Sequence, residues 1–145
     1  MKVLPGRLVF GSLTKLDVSA ITAGATLLTT SVVITSVVLP SLLVGDRIIA
    51  SFMLGFTKGV TGGATAITLN DAGAGNIQWA HNNSFAGWNY FNIPANEFLR
   101  VTVTVVGRCV GAGSPTLTLA GSSQGSNTDV ANGNGELRAW VIPGS

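Results

Sequence analysis

Apolar and polar residues alternate with a period of two along much of the chain. In Arg100-Val101-Thr102-Val103-Thr104-Val105-Val106, the valines at 101, 103 and 105 share one face and Arg100, Thr102 and Thr104 the other. That is the pattern of a half-buried strand. Thr116-Leu117-Thr118-Leu119 repeats it, and near the end Leu137, Ala139 and Val141 oppose Glu136, Arg138 and Trp140. The stretch from Asp46 to Leu54 differs, being apolar on both faces after the turn signal Gly45-Asp46. It predicts a strand that is central in a sandwich or covered by a neighbouring subunit. Taken along the whole chain, the pattern predicts strands over 7–10, 26–39, 46–56, 64–69, 76–80, 87–92, 98–108, 115–121 and 136–142. Helical periodicity is poor, and only Pro94-Ala95-Asn96-Glu97 fits a short helical turn.

Between these segments, Gly59–Gly63, Asp71–Asn76, Gly111–Pro115 and Gly121–Gly135 read as turns or loops, the last being the longest. Strands spaced in this way predict an all-β fold, an antiparallel β-sandwich or jelly roll of about eight or nine strands. The expected organisation is a single domain over residues 1–145, with 1–16 an extended amino-terminal arm. A chain of this length buries roughly 70% of its unfolded surface.

Composition turns the question towards assembly. Charged residues make up 10% of the chain and hydrophobic ones 46%, against about 25% charged in an average globular domain. So few charges leave little repulsion against association. Either partner subunits cover much of the surface, or neutral hydroxyl and amide groups coat it. Eight Lys and Arg against six Asp and Glu give a net charge of +2. The basic residues are spread along the chain without a run, so no nucleic-acid partner is expected. No charge occurs between Val18 and Gly45, but Thr29, Thr30, Ser31, Thr35, Ser36 and Ser41 interrupt that stretch and Pro40 sits near its end. It reads as strand and not as a membrane span. Met1 to Arg7 lacks the apolar stretch of a secretory signal.

Candidate chemistry is sparse. Cys109 is the single cysteine and His81 the single histidine. An internal disulfide and a multi-histidine zinc site are therefore excluded. Cys109 reads as a small buried hydrophobe. The glycine-rich segments read as turns, and no nucleophile elbow, dinucleotide or phosphate-loop fingerprint is expected among them. No enzymatic activity, cofactor or metal is expected. Asp129, Asn132, Asn134 and Glu136 offer oxygens at nearby positions without matching a twelve-residue calcium loop, and read as a polar turn into the last strand. The segment richest in recognition chemistry holds Trp79, Trp88, Tyr90 and Phe91 among Asn82, Asn83, Asn89 and Asn92. Its aromatics fit a core, a subunit interface or a ligand site that stacks on sugars. Asn82-Asn83-Ser84 has the glycosylation spacing and reads as chance.

Four blocks carry a resemblance: the apolar strand after Leu43-Val44-Gly45-Asp46-Arg47, Asn92-Ile93-Pro94-Ala95-Asn96-Glu97, Thr116-Leu117-Thr118-Leu119-Ala120-Gly121, and Glu136-Leu137-Arg138-Ala139-Trp140-Val141-Ile142-Pro143. Together they resemble the small jelly-roll proteins of tailed bacteriophages, among them capsid decoration (cement) proteins and the head domains of fibres. The likeness lies in texture and strand order, and carries no functional residue across. It implies a homotrimer on the outer surface of the virion, made in the host cytoplasm, that binds the major capsid protein and reinforces the shell. Lys2, Arg7 and Lys15 of the arm are then the candidate shell contacts. The alternative is a receptor- or carbohydrate-binding module such as a fibre tip, with a glycan as partner.

Overall fold

In the computed structural model the alternating segments pair into two antiparallel sheets packed face to face, a β-sandwich. The structure describes residues 14–15, 19–20, 25–71, 75–80, 86–130 and 135–144. Twelve strands are present among them: β1 (Thr14–Lys15), β2 (Ser19–Ala20), β3 (Ala25–Leu27), β4 (Val32–Val38), β5 (Arg47–Lys58), β6 (Gly63–Asn70), β7 (Ile77–Trp79), β8 (Ala86–Ile93), β9 (Phe98–Cys109), β10 (Thr116–Ser123), β11 (Thr128–Val130) and β12 (Glu136–Ile142). One sheet carries β1 and β2 beside β12, then β5, then β9; the other runs β4-β10-β6-β8. These paired four-strand orders are those of a jelly roll. The remaining strands extend the first sheet: β7 lies outside β9, β11 lies beside β5, and β3 lies outside β11.

Strand β5 is central, as its two-sided apolar pattern anticipates. It pairs with β9 from Arg47 to Thr57 on one side. On the other side it pairs first with β12 and then, from Phe56 to Lys58, with β11. Ile48, Ala50, Phe52, Leu54 and Phe56 of β5 enter the core, where they join Leu137 and Ala139 of β12 and Cys109 of β9. Ile67 and Leu69 of β6 and Leu117 and Leu119 of β10 complete the core from the opposite sheet.

Three expectations are corrected. The single strand over 26–39 is two strands in different sheets, because the chain changes sheet through Leu28–Ser31. Ser123 N–H donates to Leu28 O at this corner. The loop over Gly121–Gly135 contains the end of β10 and all of β11. Thr128 and Val130 of β11 are buried and Asp129 exposed, an alternation hidden by its length of only three residues. Pro94–Glu97 forms a reverse turn and no helix: Glu97 N–H donates to Pro94 O, and Asn96 has φ +60°. Asparagine tolerates that left-handed conformation. The strand expected over 7–10 lies outside the described residues.

Candidate functional site

The predicted recognition residues are dispersed. Trp79 is fully buried, at 0% exposure, within the core. A β-carbon at Gly107, its cross-strand partner, would come within 2.9 Å of Trp79 Cε3 and 2.7 Å of Ile77 Cγ2. The bare backbone of β9 is what lets the indole lie flat against it. Trp88 and Tyr90 are opposite Thr68 and Ala66 in the register of β8 on β6, and Phe91 is opposite Thr65; their side chains lie outside the described part of the structure. Lys2 and Arg7 lie outside the described residues. Lys15, at the end of the expected arm, pairs through β1 with Trp140 of the same chain. Asp129 accepts a hydrogen bond from Thr26 Oγ1 at 2.8 Å across the β3–β11 pair. Asn132 and Asn134, expected beside it, lie outside the described residues. Among the described residues no three His, Cys, Asp or Glu side chains cluster as metal ligands, and no helix is long and apolar enough to cross a membrane.

Two surfaces stand out in their place. The first is apolar. Val33 and Val38 of β4, an edge strand among the described residues, are 62% and 63% exposed. Just beyond β4, Leu43 and Val44 are 67% and 65% exposed at the tip of a turn. That turn is held rigidly. Asp46 is buried, its Oδ2 accepts Leu43 N–H at 2.8 Å, and its Oδ1 accepts Gly144 N–H at 2.9 Å. Asp46 N–H donates to Leu43 O, and Leu42 is bridged to Gly113. The fold thus fixes two large apolar side chains in water.

The second surface is the outer face of the larger sheet. Strand parity places Arg47 of β5, Arg100 and Arg108 of β9, and Arg138 of β12 on this one face. The sequence reads them as scattered, because the strands that carry them are neighbours only in space. Arg138 Nε lies 2.9 Å from Glu136 Oε1, an ion pair whose angle is too poor for a hydrogen bond. Arg47 stands directly opposite Arg108. Clefts of about 310 and 370 Å³ flank this pair, and both are lined by the two arginines.

Three reactive groups are enclosed. Contrary to expectation, Gly121-Ser122-Ser123-Gln124-Gly125 has the G-x-S-x-G spacing of a nucleophile elbow, but Ser123 ends strand β10 and is buried. Lys58 is likewise buried. Its Nζ donates to Ser123 Oγ at 2.6 Å, Gln124 O at 2.7 Å and Thr128 Oγ1 at 3.2 Å. Ser123 Oγ donates in turn to Ser126 O, and the Thr65 and Thr128 hydroxyls hydrogen-bond to each other. This knot ties together the ends of β5, β6, β10 and β11. No carboxylate pairs with Lys58 among the described residues, and burial lowers its pKa from the ordinary 10.5. Cys109 is buried, and its Sγ–H points to Gly111 O at 3.1 Å. Burial raises its pKa from 9.0, with Asp46 adding to the rise and the Gly111 hydrogen bond opposing it. A thiol so placed is a packing group and a poor nucleophile.

The sequence matches no protein-family model and no curated protein sequence. The surfaces themselves therefore carry the functional reading.

Proposed function

We propose that this chain is a virion structural protein, a capsid decoration subunit that assembles as a homotrimer and reinforces the outer shell. The observation that carries this reading is the apolar edge formed by Val33, Val38, Leu43 and Val44. Scattered exposed apolar residues are ordinary, but two on an edge strand and two more on the adjoining turn offer apolar surface to a partner, which supports this reading. The charge content of 10% agrees, since wide subunit contacts tolerate few desolvated charges. In this reading the arm reaches the major capsid protein through Lys2 and Arg7, while β1 anchors its root to β12.

Light scattering coupled to size exclusion tests the assembly. The expected result is a particle of three times the 14.8 kDa chain mass. Val38→Asp with Val44→Asp should convert it to folded monomers. A wild-type monomer at the highest concentration at which the chain stays in solution overturns the homotrimer. Co-sedimentation with tailed-phage shells lacking their decoration protein tests the partner. Binding that disappears when residues 1–13 are removed supports the arm, and no binding by the intact chain rejects the capsid reading.

A further inference from the structure

We propose that Arg47 and Arg108 form a binding site for a tetrahedral dianion, a phosphate or sulfate group, on the outer face of the larger sheet. The inference does not depend on the capsid reading. It starts from the register, which sets the two arginines opposite each other on adjacent antiparallel strands. Opposite residues of such a pair have Cα atoms only about 4.5–5.5 Å apart. Both side chains are exposed, and neither has an ion-pair partner among the described residues.

Like charges directly opposite one another destabilise a sheet. The fold does not relieve that repulsion with its neighbouring acid. Asp46 precedes Arg47, yet its carboxylate is buried, and both oxygens are occupied by the Leu43 and Gly144 amides. Two cations are thus held side by side, and a ligand with two negative charges answers both. Guanidinium groups suit the task, because their planar forks present paired N–H donors to the oxygens of one oxyanion.

The surroundings leave room for such a ligand and for whatever carries it. The cleft of about 310 Å³ continues from the pair over Gln78, Ala80 and Val106. The cleft of about 370 Å³ opens on the other side, along Gly45, Ile142 and Gly144. An oxyanion bridging the arginines would lie where the two clefts meet, with its substituent free to run into either.

The test is a titration of the isotope-labelled chain with inorganic phosphate, at pH 7.5 and constant ionic strength, followed by amide chemical shifts. Saturable shifts should centre on residues 45–48 and 106–109. Arg47→Gln and Arg108→Gln should each weaken binding by about 10- to 100-fold, the loss expected for a charged hydrogen bond. Arg100→Gln, which removes the same charge elsewhere on this face, should leave it unchanged. Sulfate that displaces phosphate assigns the site to any tetrahedral dianion, and phosphate that sulfate cannot displace narrows it to phosphate groups. The same spectra report whether each variant is folded. Shifts that do not saturate, or an equal loss in Arg100→Gln, overturn the site.

Discussion

At the scale of single residues, Gly107 leaves no room for a side chain beside Ile77 and Trp79. Any side chain at 107 must displace Ile77 and an indole that has no exposed face to move towards. Gly107→Ala is expected to lower stability by about 1–3 kcal/mol, as overpacking does. A lower urea midpoint at unchanged slope, with altered tryptophan fluorescence, would register it. Lys58 makes a different demand. Its folded pKa lies below the unfolded value of 10.5. Between the two the unfolded chain holds more protons, so stability rises with pH across that window and is lower below it. Cys109 acts in the opposite sense above its unfolded 9.0, where the unfolded chain loses its proton first. Comparing wild type with Lys58→Met isolates the lysine. The stability difference should move in favour of wild type between pH 7 and pH 10.5, and a constant difference would show that Lys58 titrates normally.

At the scale of elements, alternation carried most of the information. The parity of β9 and β12 was legible residue by residue, and the centrality of β5 followed from its lack of a polar face. What alternation could not show was where one strand hands over to another. β3 and β4 read as one continuous run because no glycine, proline or charge lies between them, and only their sheet membership separates them. β11 was invisible because three residues do not establish a period, and its Thr-Asp-Val lies among small polar neighbours. The turn after β4 depends on one side chain that ties it to the chain's far end. Asp46→Asn keeps one acceptor oxygen in place of two, so either Leu43 N–H or Gly144 N–H loses its partner. A cost of about 1–3 kcal/mol is expected. Faster amide exchange confined to residues 43–46 and 144 would locate it.

At the scale of the whole molecule, the candidate sites were less legible than the fold. The aromatic segment that looked most like a recognition surface contributes Trp79 to the interior, because an indole is equally suited to both places. The arginine pair could not be seen from sequence at all. Arg47 and Arg108 lie in segments that alternation identifies correctly, yet their meeting depends on the register between β5 and β9. A slip of one residue would have put them on opposite faces. The exposed apolar edge was not legible in the sequence, whose low charge fits a covered surface and one coated with neutral hydroxyl and amide groups equally well.

The pairing of β1 and β2 with β12 also governs the order in which the fold can be completed during synthesis. The earliest described strands find their partner only after β3 to β11 have left the ribosome. Until then β5 lacks the neighbour that covers its first half, and the larger sheet cannot close. A protease cut that releases β12 would likewise undo both ends of the jelly roll at once.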